Sequence, residues 1–382
     1  MLVSDLPTPA LLIERDRLDA NLAAMQAHAN AERVALRPHV KTHKTVELAW
    51  RQTKAGAQGL TVATVDEAEA FAQAGFRDLV VAREVVSEDG LRRLRWLAQN
   101  GTRLAFCVDT PEGVRRTAEA FEGMEAEVFV EVDTGHGRCG IPWDSEDAVG
   151  FVRRVRETAG LRLRGLLTHG GHSYLGPRMG ETHEAALLRA MGEERDRLLD
   201  LAVRLGEAGM LDPASAVLSL GSTPTVSRFV NAERGGFRVT EVRPGNYVFL
   251  DAMQVALGVA AIERCALTAV ATIVSCRRSA AGVERVFIDA GKKALSPDTG
   301  VGTDGFGVLL HSPVTMKPLP HARLGALSEE HGWITVPGGS TFTVGDRVHI
   351  VPNHACMAVA SHPRLYLVDG EEVLEEWSVV AR

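Results

Sequence analysis

The chain has 382 residues, 45% hydrophobic and 24% charged, which describes a globular protein of two or three domains at roughly 150 residues each. Its 42 basic against 49 acidic side chains give a net charge of −7, which excludes the broad basic field of a nucleic-acid binder. The longest apolar stretch, around Cys265 to Cys276, is too short and too interrupted by Thr and Ser to span a bilayer, and the segment from Met1 to Pro7 has neither the basic nor the apolar part of a secretion signal.

From the N-terminus, apolar β-branched runs appear at 34–40, 59–64, 78–82, 103–108, 126–133, 161–169, 216–220 and 240–243, with helical patterns between them such as 65–75, 88–100 and 181–208. Eight strand-then-helix units predict an α/β chain whose residues 10–245 form a (β/α)8 TIM barrel rather than an open doubly wound sheet. No G-x-G-x-x-G follows an early strand, which weakens a dinucleotide-binding fold further. From residue 246 the texture changes to short strands at 267–275, 285–289, 332–336, 346–351, 364–368 and 372–380, separated by Gly, Pro and Asp turns. Residues 246–382 are therefore expected to form a separate C-terminal β domain, which residues 1–9 are free to join. The five cysteines Cys107, Cys139, Cys265, Cys276 and Cys356 form no C-x-x-C pair, and their odd number suits a reducing, cytoplasmic location. A cytoplasmic enzyme acting on small molecules is the expectation, with neither nucleic acid nor membrane as a partner.

In a barrel of this kind the active site lies at the C-terminal ends of the strands. The first strand ends Arg37-Pro38-His39-Val40-Lys41-Thr42-His43-Lys44, and with a period of two His39, Lys41 and His43 share the inward side. An inward lysine is desolvated, its pKa falls, and it becomes suited to forming a Schiff base. The competing reading has Lys41 reaching out to water at the rim. After the seventh strand come Gly221, Ser222 and Thr223, and after the eighth Gly245 and Asn246, where barrels commonly bind phosphate. Either turn alone is ordinary. Together with a strand-end lysine they point to a phosphate-bearing aldehyde, pyridoxal 5′-phosphate.

The segments Arg37 to Lys44, Asp133-Thr134-Gly135-His136-Gly137-Arg138-Cys139-Gly140, Arg243-Pro244-Gly245-Asn246 and Pro352-Asn353-His354-Ala355-Cys356 resemble the D-serine dehydratase/D-threonine aldolase family over essentially the whole chain. These are fold-type III pyridoxal-phosphate enzymes with an alanine-racemase-like barrel and a C-terminal β domain. The resemblance implies a head-to-tail homodimer whose active sites lie at the subunit interface, with a small D-amino acid as substrate. It implies that Lys41 carries the cofactor with His39 beside it, Lys44 being the competing lysine. Arg138 is expected near the cofactor's phenolic oxygen, and Gly221, Ser222, Thr223, Gly245 and Asn246 around its phosphate. His169, His172 and Tyr174 follow the sixth strand, where ring contacts and an acid or base are expected, and which histidine faces the ring stays open.

His354 and Cys356 lie two apart after the strand 346–351, so extended geometry would put both on one face, a soft pair suited to Zn2+, with Mn2+ or another divalent metal as alternatives. By themselves they read as a buried cysteine beside a histidine, and the resemblance turns them into a metal pair. In the family as it is known, dehydratases carry His-x-Cys and aldolases His-x-Asp at this position. Cys356 therefore favours a D-serine dehydratase, releasing pyruvate and ammonia, over a D-threonine aldolase, releasing glycine and an aldehyde. An amino-acid racemase would need a second base from the β domain, for which Tyr366 is the candidate. A metal-only hydrolase barrel would leave the phosphate-type loops unexplained, and a non-catalytic pyridoxal-phosphate-binding protein would not carry a β domain.

Overall fold

The computed structural model describes residues 1–278, 284–337 and 341–381. Eight parallel strands, Ala35–Leu36, Leu60–Val62, Asp78–Glu84, Arg103–Val108, Ala126–Asp133, Leu161–Thr168, Val217–Leu220 and Glu241–Val242, pair in sequence order. The last pairs with the first in the register Val242↔Leu36, and a parallel bridge between His39 and Thr61 joins the first to the second, so the sheet closes. Every predicted barrel strand is present. Several connecting helices start where a hydroxyl accepts an orphan backbone N–H: Thr64 caps Val65–Gln73, Ser87 caps Glu88–Gln99, Thr110 caps Pro111–Ala120 and Thr182 caps His183–Glu207. In Glu88–Gln99 the spacing of Leu91, Leu94 and Leu97 lays one buried stripe on the barrel.

The last crossover differs from expectation. Between the seventh and eighth strands the helix shrinks to Thr223–Val226, followed by the hairpin of Glu233–Arg234 with Phe237–Arg238. The missing cover comes from Arg15–Ala31, a helix ahead of the first barrel strand, whose Asn21 donates from Nδ2 to Val248 O at 3.2 Å just past the eighth strand.

The second sheet runs Lys317–Pro318, Gly307–Ser312, Arg347–Pro352, Leu267–Arg278, Ala10–Glu14, Arg364–Asp369, Glu372–Ser378. Leu267–Arg278 continues past a register shift between Ile273 and Ser275 into a second layer with Glu284–Ile288, Gly332–Val336 and Arg323–Leu327. This corrects the expected boundary at residue 10. Ala10–Glu14 is a central strand of the β domain, antiparallel to Leu267–Arg278 (Leu12↔Thr268) and parallel to Arg364–Asp369 (Leu12↔Tyr366). Its run Ala10-Leu11-Leu12-Ile13 is buried on both faces, so it shows none of the alternation that marks a half-exposed strand. Among the described residues no helix is long and apolar enough to cross a membrane. Because Ile13 is fully buried between two neighbouring strands, Ile13→Ala should lower unfolding free energy by about 2–5 kcal/mol in denaturant titration, as for other large-to-small core changes.

Candidate active site

The C-terminal ends of the barrel strands surround two adjoining hollows of about 370 and 230 Å3 that share His39, Lys41, His169 and Arg243. They form one cavity with a barrel lobe, reaching Glu84, Glu131 and Arg138, and a lobe facing the β domain, reaching Tyr174, Thr223, Asn246, His354 and Cys356.

Lys41 stands in the 3-10 turn Val40–Thr42, its amide donating to His39 Nδ1 at 3.4 Å. No carboxylate pairs with it among the described residues, and burial lowers its pKa against the raising influence of Cys356. The turn also corrects the expected period of two. His43 leaves the cavity side, is fully buried, and pairs through Nε2 with Gln52 Oε1 at 3.1 Å while Nδ1 accepts from Thr45 N at 3.1 Å. Lys44 is likewise outside the cavity, held by Glu67 Oε1 at 2.8 Å and donating to Ala381 O at 2.7 Å.

His39 and His169 are kept neutral. Burial, then Lys41, pushes both well below the usual histidine range. His169 Nδ1 bonds to the carbonyl of Gly221 at 3.2 Å, which makes that nitrogen the donor and leaves Nε2 as an acceptor. His172 does not line the cavity. Its ring is buried with Nε2 toward Ala190 O at 3.2 Å and Glu193 at 3.7 Å, so of the two histidines His169 is the one that faces Lys41. The 3-10 turn Gly171–Leu175 separates them by turning the chain between the barrel rim and the helix His183–Glu207. Tyr174, on the same turn, lines the β-domain lobe and accepts from Gln254 Nε2 at 3.4 Å.

Arg138 is carried by a loop that the Asp133 carboxylate organises by accepting the amides of Gly135, His136 and Gly137 at 2.8–3.1 Å. It reaches Glu131 Oε1 at 3.4 Å. At the other lobe, Ser222 caps Thr223–Val226 in a capping box with Thr225, and Gly221 N donates to the buried Glu194 at 3.0 Å. Those two residues thus shape the turn with their polar groups already engaged. The amides of Thr223 and Asn246 open helical turns, where the first N–H groups have no partner within the helix and are free to donate to an anion. At Gly245 a Cβ would lie 2.7 Å from Thr42 Oγ1 and 2.9 Å from His39 O, so only glycine admits this approach beside the cavity.

His354 and Cys356 both line the cavity, although not by the expected extended geometry. His354 is the N-cap of Ala355–Ser361 and Cys356 lies in its first turn, so the pair faces the cavity across a helix start. His354 Nδ1 lies 2.7 Å from Asp298 Oδ2, which leaves Nε2 for the cavity, and the Cys356 thiol donates to Thr42 Oγ1 at 3.2 Å. Burial opposes charge on His354, but Cys356 and Asp298 beside it raise its pKa to about 10. Among the described residues no third His, Cys, Asp or Glu completes a close group with these two, so a metal held here would keep positions open.

Three groups escaped the sequence reading. Arg243 is buried in the cavity wall, donating from Nε to Ser219 Oγ at 2.7 Å and from Nη2 to Thr168 O. Glu131 and Glu84 form an acidic wall opposite. A signal existed: Glu131 and Arg243 each lie two residues beyond another barrel-lining side chain, Phe129 and Glu241, which puts them on the inner face.

Burial and the neighbouring Glu131 raise Glu84 from 4.5 to about 8. The folded state then holds a proton that the unfolded state has released, so this group's contribution makes stability decline as pH rises through that window. In denaturant titrations at roughly pH 5 and pH 8, Glu84→Gln should lose less stability between the two than the natural protein does.

The pattern described as "Alanine racemase, N-terminal domain" matches residues 13–252, and that described as "Putative serine dehydratase domain" matches residues 266–368. The chain is 34% identical over 385 residues to the D-threo-3-hydroxyaspartate dehydratase of Delftia sp. strain HT23, covering 97% of each. It is 30% identical over 387 residues to the D-threonine aldolase of an Arthrobacter species, covering 98% of this chain and 92% of the relative. With the D-serine dehydratase of Dictyostelium discoideum it shares 25% over 400 residues, covering 97% and 95%. The metal-free form of a cysteine-to-alanine variant of D-threo-3-hydroxyaspartate dehydratase superposes with a TM-score of 0.88 at 33% identity, covering 100% of this chain and 99% of that one.

Proposed function

The chain belongs to the family of pyridoxal-phosphate lyases that contains the D-serine dehydratases and D-threonine aldolases, and from that premise we propose that it is a metal-assisted dehydratase of D-serine or a closely related β-hydroxy D-amino acid. One observation carries the choice: Lys41, His354 and Cys356 line one cavity, with a cysteine where the aldolase branch is expected to carry an aspartate.

The residues present fit the cofactor. Lys41 offers an amine that no carboxylate pairs with among the described residues, Thr223 and Asn246 offer helix-start amides for a phosphate, Gly245 leaves the backbone bare, and Arg138 and Arg243 add positive charge to the walls. Bound pyridoxal phosphate supplies an electron-withdrawing ring that acidifies the substrate's Cα–H bond. Lys41 Nζ, its pKa lowered by burial, is the base that takes this proton. His169 presents Nε2 beside it, and burial together with the nearby Lys41 keeps the ring neutral, so no second charge sits against the amine.

His354 and Cys356 would hold a divalent metal, and an imidazole with a thiol favours zinc. Asp298 keeps the ring of His354 oriented for that task. Such a metal supplies Lewis acidity to the β-hydroxyl, a poor leaving group without it. The metal-free cysteine variant of the relative supports a cysteine ligand. A racemase reading finds no support, because Tyr366 packs with Val3, Leu6 and Val270 in an apolar cluster of the outer sheet and does not line the cavity. The same proposal places the enzyme in the cytoplasm as a homodimer. Five free thiols suit a reducing compartment, and the exposed Leu175 and Met357, next to cavity residues, suit coverage by a second copy.

Borohydride reduction and peptide mapping should place the pyridoxyl group on Lys41, and an adduct on Lys44 would overturn the assignment. With D-serine the products should be pyruvate and ammonia, with D-threonine 2-oxobutyrate, and chelation should stop both while the bound cofactor's absorbance remains. Glycine and acetaldehyde from D-threonine, without pyruvate from D-serine, would identify an aldolase instead.

A further inference from the structure

The cofactor seat and the metal turn come from different parts of the chain, yet one side chain holds both. Asp251 caps the short helix Ala252–Ala256, its Oδ1 accepting from Gln254 N at 3.0 Å. Its Oδ2 accepts from Asn246 Nδ2 at 2.5 Å and from Ala355 N at 2.9 Å. Asn246 lines the cavity just after the last barrel strand, and Ala355 is the residue between His354 and Cys356. Asp251 is fully buried and, among the described residues, forms no ion pair, so its carboxylate depends on these three donors.

A single oxygen satisfies both Asn246 and Ala355 in only one relative placement of the barrel loop and the metal turn. Ordering one donor therefore orders the other, and two ligands that each order a shared element favour one another. We propose that Asp251 is a positioning residue that couples the two seats, so that pyridoxal phosphate and the metal each bind more tightly when the other is in place. This rests on the assignment of the phosphate to the Asn246 loop and of the metal to His354 and Cys356. Linkage makes the effect reciprocal.

Asp251→Asn leaves one oxygen for Gln254 N and Ala355 N together, and Asp251→Ser keeps a cap for Gln254 N but is too short to bridge. Zinc affinity is measured by competition with a chromophoric chelator, on metal-stripped holoenzyme and on the same protein after removal of pyridoxal phosphate. The natural protein should bind zinc about 5–150-fold more tightly with the cofactor present, and cofactor affinity should change by the same factor with zinc. Both variants should still bind cofactor and zinc, with that ratio falling toward one. A zinc affinity independent of the cofactor in the natural protein overturns the coupling. So does an undiminished ratio in whichever variant folds, which would assign the coupling to the charges of Lys41 and the phosphate. Cofactor-loaded protein that binds no zinc at all overturns the metal reading itself, and the coupling with it.

Discussion

A chain of buried charge runs through the barrel from its floor to the cavity, and the placement of the cavity wall depends on it. Arg37 contacts Asp78 Oδ1 at 2.7 Å and Glu241 Oε2 at 2.5 Å, Glu241 Oε1 accepts from Ser219 Oγ at 2.7 Å, and Ser219 Oγ accepts from Arg243 Nε at 2.7 Å. Four strands contribute to this line, which ties them together across the barrel interior. Such a network stabilises little relative to a well-packed apolar floor, but removing one member strands a buried charge at about 3–5 kcal/mol. Its value is geometric. Arg243 lines the cavity as a guanidinium whose balancing carboxylate, Glu241, lies one hydroxyl away.

That arrangement sets the electrostatics of the mouth. Lys41, Arg138 and Arg243 gather positive charge, and burial, reinforced by that charge, keeps the two histidines between them neutral. A neutral imidazole next to an amine adds no further repulsion, so Lys41 is left with burial as the main influence on its basicity. At the far lobe the sign reverses: against the opposing effect of burial, Cys356, then Asp298 and Asp251, favour positive charge on His354. The phosphate and the metal of the proposed function would thereby take separate ends of one cavity.

The barrel was legible because its strands are apolar, β-branched and punctuated by capped helices, and so was the lysine, since a charge at an inward strand end conflicts with its surroundings. The limits came where local pattern and tertiary context part. Residues 34–40 read as one strand, but the chain tightens into a turn at Val40, which sends His43 behind the barrel while Lys41 faces in. His354 and Cys356 read as extended, but a helix begins between them. His169 and His172 are equivalent on paper and are separated only by a 3-10 turn that packs one ring on Ala190. Ala10–Glu14 lacked any alternation because both its faces are covered, so nothing local distinguished it from the start of the barrel.

The placement of that strand governs how the molecule can be assembled. Its pairing partners, Leu267–Arg278 and Arg364–Asp369, lie at the other end of the chain, so on the ribosome the first strand emerges long before either neighbour exists. Both its hydrogen-bonding edges and its apolar side chains must wait through synthesis of the whole barrel, and contacts of such long sequence separation close slowly. A waiting apolar strand with two open edges is also a template for another copy, which makes the nascent barrel the stage most exposed to misassociation. For the same reason the barrel and the β domain are threaded through one another, and cutting the chain near residue 250 would yield two fragments of which the second lacks the middle of its own sheet.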